Sequence, residues 1–552
     1  MFKNKENLTI KLWMLSMLSA VILSIPFMIP HLGLVALIGF IPLFAAEQLA
    51  REHHKKRFFI LYYSAFFLWN LITTYWVYFA TPGGAAAAVI LNSLQMAIIF
   101  ALFRWMRGIA KGFLPYLFFI ITWLAWEHSY FTWDVTWPWL VLGNSFATSI
   151  KSIQWYEYTG TLGGSLWVLL TNALLFRLIL LKLNGERIIA SLSSLAAVVL
   201  IPLLISQVLY YKYEEVKRPA DFTVLQPNID PYTDKFGGLS QQEQDKILLE
   251  LIRESGESGG ERMILAPETF ITPEWNSHLL EDTPMLNPSF AAFYDLMRQY
   301  NGADTLGDRK DITLIIGAVT TKLYNTAAAP TGTARAVGDG RWYDNFNTAV
   351  FLDAEGNYSY YHKSKLVILA ESNPFLKGPF RFMDKLVSGI AGGIGNFGTQ
   401  PQRSIFIAPD SVKIGVAICY ESVFGDYYRE YVLKGANVMG IITNDGWWKN
   451  TAGHRQHLSY ASLRAIETRR SIARSANTGI SGFINQRGEI VSRTGWWEKG
   501  YLNGTLNLND KKTLFVEYGD ITGRVSRFLF FLFFLMGIAR KISKKYIIKE
   551  AC

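Results

Sequence analysis

Long apolar runs fill the first 210 or so residues of the chain and return once near its end. Each run is close to the roughly 20 residues that a helix needs to cross the hydrocarbon core of a bilayer. The pattern predicts an α-helical transmembrane bundle of about eight spans. The predicted spans are 9–28, 32–50, 59–80, 85–106, 113–130, 161–181, 188–210 and 522–539.

Between the seventh and eighth runs, short β-rich segments alternate with amphipathic helical patterns, which is typical of a layered α/β domain. Buried strands are predicted at FTVLQ, RMILAPE, DITLIIGAV, VKIGVAICY, NVMGIITND and TGISGFI, and helices over 241–254 and 454–475. We therefore predict three parts. They are a seven-span region over 1–211, a catalytic domain over 212–521, and a last transmembrane helix with a basic tail over 522–552.

The charges agree with a membrane protein. Apolar residues make up 50% of the chain and charged residues 18%, whereas about a quarter of an ordinary soluble domain is charged. Lys and Arg cluster at the N-terminus, after every second predicted span and at the C-terminus, which puts all the clusters on one side of the membrane. The clusters are at 3–11, 51–57, 104–111, 182–187 and 540–549. By the positive-inside rule this pattern predicts that both termini are cytoplasmic and that 212–521 is periplasmic, in a bacterial inner membrane. Because the basic clusters lie beside the membrane, we expect no nucleic-acid binding.

Three short segments of the predicted domain carry candidate chemistry: LAPETF with Glu268, YYHKSK with Lys363, and GVAICYESVF with Cys419. Cys419 is predicted at the end of a strand and the start of a helix, where the helix N-terminus would favour its thiolate. Acyl transfer needs a nucleophile, a proton shuttle and an oxyanion site, and these three residues are suited to those roles. On spacing alone, a catalytic thiol and a small buried thiol stay equally open. The other cysteine, Cys552, is predicted on the opposite side of the membrane, so we expect no disulfide.

The three segments resemble the Glu–Lys–Cys triad of the nitrilase superfamily. Joined to membrane spans at both ends, they resemble bacterial apolipoprotein N-acyltransferases over nearly the whole chain. The resemblance implies a nitrilase-like αββα sandwich with Cys419 as nucleophile, Glu268 as general base and Lys363 as oxyanion stabiliser. It further implies substrate-binding or supporting roles for Asn347 in FNTAVF, Glu371, Tyr420, Glu421, and Trp447 in TNDGWW.

The resemblance also implies a reaction. An acyl chain passes from a phospholipid, usually phosphatidylethanolamine, through a cysteine thioester to the α-amino group of a diacylglyceryl-cysteine, as the last step of lipoprotein maturation. No cofactor or metal is expected, and we expect a monomer. His454 and His457 have the spacing of a metal pair but lack a third ligand nearby, and the glycine-rich 389–398 lacks the lysine pattern of a nucleotide loop.

Two departures from the family pattern concern loops. Ile368, Leu369 and Ala370 stand where the family commonly has Pro-Phe-Gly, and Phe236 stands where it often has Trp. Two alternatives also remain. One is a membrane-anchored amidase or nitrilase that hydrolyses small amides, for which eight spans are excessive. The other is a catalytically inactive membrane binding protein, in which loss of a triad residue would be expected.

Overall fold

The computed structural model describes residues 2–54, 58–133, 135–256, 262–272, 278–301, 312–338, 340–353, 355–368, 370–372, 396–408 and 411–550. The sequence predictions on Leu369, on 389–395 and on Cys552 lie outside these residues. The described chain divides into two compact units. The first unit comprises Met1–Tyr75, Ala85–Tyr213 and Tyr518–Cys552, and the second comprises Trp76–Gly84 and Glu214–Glu517.

The first unit is built from helices at the places where the apolar runs predict them. They are α1 (Phe2–Met28), α2 (Ile41–Glu52), α3 (Phe59–Thr74), α5 (Pro82–Ile109), α6 (Leu114–Tyr130), α7 (Tyr156–Leu183), α8 (Ile189–Lys212) and α14 (Ile521–Glu550). Among the described residues, six helical segments are long and apolar enough to cross a membrane. Helices α3 and α6 have only 16 and 17 residues. The prediction of several apolar helices is confirmed, whereas the number of spans stays a prediction.

The second predicted span is interrupted, and a side chain from another helix forms hydrogen bonds with the backbone groups at the interruption. A 3₁₀ turn over Gly33–Ile38 precedes α2, which leaves backbone groups without helical partners. The buried side chain of Asn172 on α7 accepts from the Phe40 N–H at 2.8 Å and donates to the Ala36 carbonyl at 2.9 Å. Such internal partners are required where no water can reach the backbone.

The second unit contains two β-sheets. The strands are β1 (Pro219–Gln226), β2 (Arg262–Leu265), β3 (Leu279–Leu280), β4 (Ile312–Tyr324), β5 (Arg335–Gly338), β6 (Arg341–Leu352), β7 (Tyr358–His362), β8 (Ile405–Ile407), β9 (Lys413–Ile418), β10 (Val438–Thr443), β11 (Ile472–Ala476), β12 (Gly482–Ile484), β13 (Ile490–Arg493) and β14 (Gly500–Asn507). The first sheet runs β14-β1-β2-β4-β6-β5, with β3 beside β4 and β7 beside β6, and the second runs β13-β12-β11-β10-β9-β8. Strands β1, β2 and β4 are parallel, as are β9, β10 and β11.

The two sheets face each other and helices cover their outer faces. Ser475 on β11 donates to the Leu225 carbonyl on β1 at 2.7 Å, and a Cβ at Gly440 on β10 would lie 3.0 Å from Leu265. The unit also contains helices α4 (Val77–Ala80), α9 (Gln241–Ser255), α10 (Pro288–Asn301), α11 (Gly425–Leu433), α12 (Ala452–Thr468) and α13 (Leu514–Tyr518). Helices α9 and α10 pack on the first sheet, and α11 and α12 contact the second. The predicted nitrilase-like α/β domain is confirmed.

One predicted helix is wrong in its last third. The pattern over 454–475 predicts a single helix, but α12 ends at Thr468 and Arg469 adopts a left-handed backbone with φ +50°. Residues Ile472–Ala476 then form β11, parallel to β10. The sheet overrides the helical periodicity because every residue of this strand is buried.

Candidate active site

The three residues of the predicted triad lie just beyond strand ends in the second unit. Glu268 follows β2, Lys363 directly follows β7, and Cys419 directly follows β9. Lys363 Nζ lies 2.8 Å from Glu268 Oε1, although 95 residues separate the two in sequence. The structure therefore brings Glu268 and Lys363 into direct contact beside the cysteine.

A glycine allows the turn that carries Glu268. Gly317 on β4 donates to the Pro267 carbonyl at 3.1 Å and accepts from the Phe270 N–H at 2.7 Å. A Cβ at position 317 would lie 2.5 Å from the Glu268 Cα, which is closer than packed atoms tolerate. The absence of a side chain on β4 thus positions the carboxylate.

Lys363 is held between two carboxylates. It is 1% exposed, and its Nζ contacts Glu268 Oε1 at 2.8 Å and Glu371 Oε1 at 2.9 Å. Asn347 on β6 donates to the same two oxygens, at 2.8 Å each. Burial lowers the pKa of Lys363, but the two carboxylates outweigh burial and raise its pKa well above the usual range. Lys363 is therefore an ammonium at any physiological pH.

The second oxygens of the two carboxylates differ. Glu371 Oε2 accepts from the Val367 N–H at 2.8 Å, so both of its oxygens have donors. No donor lies within hydrogen-bonding distance of Glu268 Oε2 among the described residues. Glu268 thus keeps one carboxylate oxygen available to accept a proton, and Glu371 does not.

Cys419 is a buried thiol in a strained backbone. It is 8% exposed and has a φ of +50°, a conformation that non-glycine residues rarely adopt. Burial raises the pKa of the thiol well above its usual value; the nearby Glu268 and Asp445 carboxylates raise it further, and Lys363 opposes them. The resting group is therefore a neutral thiol, which needs a base before it can attack.

This finding corrects the expectation of a helix that favours the thiolate. Cys419 begins a single 3₁₀ turn, Cys419–Val423, and the α-helix that follows starts only at Gly425. A one-turn 3₁₀ helix has few aligned peptide dipoles, so it offers little of the positive field expected at the start of a long helix.

Glu421 lies in a cage of hydrogen-bond donors. Its side chain accepts from the hydroxyls of Tyr361 and Tyr427 at 2.9 and 2.5 Å. The Tyr431 hydroxyl donates to the Tyr361 hydroxyl and lies 3.2 Å from Glu421 Oε2. The Glu421 side chain also accepts from the backbone N–H groups of Ser364 and Ile418, at 2.7 and 2.9 Å. Ser364 follows Lys363 and Ile418 precedes Cys419, so this carboxylate ties the two segments that carry the lysine and the nucleophile.

Tyr420 and Trp447, the other predicted supporting residues, both make aromatic contacts. Tyr420 is buried and packs edge-on against Phe424 at 5.0 Å. Trp447 is half-buried and stacks on Phe236 at 5.8 Å between ring centroids. Phe236 is 52% exposed, so this aromatic pair borders solvent.

His457, which is spaced from His454 like a metal pair although no metal is expected, lies against the backbone of the nucleophile. Its Nδ1 lies 2.9 Å from Asp445 Oδ1, and its Nε2 lies 3.2 Å from the Cys419 carbonyl and 3.0 Å from Ser422 Oγ. Among the described residues no group of three His, Cys, Asp or Glu side chains is arranged to hold a metal ion. His457 instead supports the backbone of the nucleophile from behind.

Lys235 is a second buried lysine that sequence reasoning missed. It is 3% exposed, and its Nζ lies 3.3 Å from the Glu268 carbonyl and 3.2 Å from Thr269 Oγ1. Burial lowers the pKa of Lys235 to about 8, although the Glu268 carboxylate opposes the change. The only sequence signal was its position before Phe236, a residue already noted as a departure.

The Glu–Lys–Cys arrangement at strand ends of an αββα sandwich defines a nitrilase-like domain. The family model of carbon-nitrogen hydrolases matches residues 224–513, more than half of the chain. The model of the apolipoprotein N-acyltransferase N-terminal domain matches residues 19–174. The chain belongs to the carbon-nitrogen hydrolase family.

Relatives match across both parts of the chain. It is 26% identical over 442 residues to an apolipoprotein N-acyltransferase of Chlorobaculum tepidum, covering 79% of this chain and 78% of that protein. It is 27% identical over 420 residues to an apolipoprotein N-acyltransferase of Geobacter metallireducens, covering 75% and 73%. A Rickettsia bellii protein of the same name is 24% identical over 429 residues, covering 76% and 75%.

Proposed function

We propose that this chain transfers a fatty acyl chain from a phospholipid, through a thioester on Cys419, to the α-amino group of a lipoprotein's diacylglyceryl-cysteine. The observation that carries the proposal is a buried thiol near an ammonium that two carboxylates hold. Within the described part of the chain, only Glu268 of these two carboxylates keeps an oxygen without a donor. The two family models and the relatives named apolipoprotein N-acyltransferase support lipoprotein N-acylation. They support neither small-amide hydrolysis nor an inactive binding role.

In the first half-reaction Glu268 acts as general base. Its Oε2 takes the Cys419 proton as the sulfur attacks the ester carbonyl of the phospholipid. Lys363 and a backbone N–H, which we assign to Tyr420, stabilise the tetrahedral oxyanion. When the intermediate collapses, the C–O bond breaks and Glu268 returns the proton to the leaving lysophospholipid oxygen. The acyl chain remains as a thioester on Cys419.

In the second half-reaction an amine replaces the thiol. The α-amino group of the acceptor cysteine attacks the thioester carbonyl, and Glu268 accepts a proton from that nitrogen. The C–S bond then breaks, and the proton passes to the departing sulfur. The products are an amide on the lipoprotein and the neutral Cys419 thiol, so the cycle is closed.

The setting of the reaction follows from the charges and the site. Lys and Arg cluster in every second connection between the predicted spans. This pattern favours a bacterial inner membrane, with the second unit periplasmic and both termini cytoplasmic. Phosphatidylethanolamine is the proposed donor. A monomer is the proposed working form.

The test is intact mass spectrometry of the purified full chain mixed with phosphatidylethanolamine, with Cys419→Ala as the control. We expect one added acyl chain that hydroxylamine removes and that the variant lacks. A diacylated lipopeptide should then discharge the chain onto its amine. Discharge to water alone would favour a hydrolase, and a folded enzyme without an adduct would refute the phospholipid donor.

A further inference from the structure

Among the residues that the structure describes, the buried charges in contact with Lys363 do not balance without a second cation. Glu268 and Glu371 bring two carboxylates into contact with one ammonium, that of Lys363. Buried charges are costly unless opposite charges pair with them. The remaining negative charge would favour protonation of a carboxylate, and a protonated Glu268 could not act as a base.

Lys235 is a second buried cation that lies close enough to Glu268 to balance the extra negative charge. Its Nζ is within 3.3 Å of the Glu268 carbonyl, and the Glu268 carboxylate is close enough to affect its titration. With a pKa lowered to about 8, Lys235 is still mainly an ammonium at neutral pH. Counting Lys235, the cluster holds two negative and two positive charges.

Lys235 also holds the backbone of the base. Thr269 has a φ of +47°, which is unfavourable for a β-branched residue and persists only where neighbouring groups fix it. Lys235 contacts both the Glu268 carbonyl and the Thr269 hydroxyl. The lysine is itself anchored, since its N–H donates to the Asp230 carbonyl at 2.9 Å and its own carbonyl accepts from Gln244 Nε2 at 3.0 Å.

We propose that Lys235 is a positioning residue for the general base: its ammonium fixes the Glu268–Thr269 turn and supplies the positive charge that keeps the Glu268 carboxylate ionised. This inference rests on the proposed function, in which Glu268 removes the Cys419 proton. Lys235 acts through Glu268 and takes no part in bond making.

The test is the pH dependence of thioester formation by the full-length enzyme with phosphatidylethanolamine. Lys235→Met and Lys235→Gln both remove the charge, and glutamine keeps a donor, so the test survives a methionine variant that fails to fold. Without the ammonium the carboxylate protonates more easily. We therefore expect the acidic limb of the rate profile to move to higher pH by about one unit. Alkaline pH should recover much of the lost rate, and Lys235→Arg should keep the wild-type limb.

Lys499→Met is the matched control, because Lys499 is exposed on the same unit and its loss changes the net charge equally. Its profile should be that of the wild type. An acidic limb that stays in place in both uncharged variants would overturn the inference, whatever the rate. A wild-type enzyme that forms no thioester would instead refute the proposed function, and the inference with it.

Discussion

Two buried carboxylates, Glu268 and Glu421, contact the neighbouring residues Lys363 and Ser364. The two carboxylates differ in their hydrogen-bond donors. Glu268 contacts the ammonium of Lys363, and one of its oxygens has no donor among the residues described. Glu421 accepts from the N–H groups of Ser364 and Ile418 and from the hydroxyls of Tyr361 and Tyr427, so both of its oxygens have donors. Both are almost fully buried, at 6% and 0% exposure.

The difference separates a group that moves protons from one that holds structure. Adding a proton to a carboxylate that already accepts hydrogen bonds at both oxygens would displace one of those hydrogen bonds. Such a carboxylate therefore gains nothing from protonation. A carboxylate with an open oxygen beside a thiol can accept a proton without breaking a contact. The resemblance implied a substrate-binding or supporting role for Glu421, and its hydrogen bonds favour the supporting role.

The largest expected effect is on Glu268. Glu268→Gln removes the base while keeping the size of the side chain, and we expect thioester formation to slow by about 10²–10⁴-fold. Glu371→Gln, the matched change on the carboxylate without an open oxygen, should cost about ten- to a hundredfold less. Single-turnover acylation followed by intact mass measures both. Equal losses would mean that the open oxygen does not distinguish the two.

The next effect is on stability at Glu421. In Glu421→Gln an NH₂ group replaces an acceptor and faces hydroxyl and amide donors, so we expect a loss of about 2–4 kcal/mol in the free energy of unfolding. Thermal denaturation in detergent measures it. Glu430→Gln on the exposed side of α11 is the control and should change little. Normal stability with lost acylation would instead place Glu421 in the chemistry.

Thiol reactivity sharpens the comparison further. The Glu268 carboxylate raises the pKa of Cys419, and a thiolate is disfavoured beside another anion. Glu268→Gln should therefore lower that pKa and speed alkylation several-fold at pH 7–8, even though acylation is lost; one pKa unit corresponds to about tenfold in thiolate. Iodoacetamide labelling in a Cys552→Ser background reports only Cys419. Slower labelling would show that Glu268 stabilises the thiolate.

Local patterns predicted part of this molecule well. The apolar helices follow from runs of hydrophobic residues, which are a property of consecutive sequence, and the strands around Glu268 and Cys419 follow from short buried segments. The helix over 454–475 failed because Ile472–Ala476 is drawn into a sheet by β10, a partner that the local pattern does not contain.

The surroundings of the site depend on distant residues. Lys235 reaches Glu268 across 33 positions, and Tyr361 reaches Glu421 across 60. Their roles come from hydrogen bonds that only the assembled sheets create. Sequence reasoning thus nominated the residues at strand ends, but it could not tell which carboxylate has an open oxygen.

The smallest expected effect is the change in stability when a single tyrosine hydroxyl near Glu421 is removed. Tyr431 and Tyr428 are both buried on α11. The Tyr431 hydroxyl donates to the Tyr361 hydroxyl and lies 3.2 Å from Glu421 Oε2, whereas the Tyr428 hydroxyl has no hydrogen-bond partner in the described part of the chain. Tyr431→Phe should lower the free energy of unfolding by about 1 kcal/mol. Tyr428→Phe should leave it unchanged or raise it, because it removes a buried hydroxyl that nothing satisfies. Denaturation of both variants side by side gives the answer. Equal effects would mean that the tyrosines stabilise the unit by ring packing alone, and the cage would then contribute little to holding Glu421.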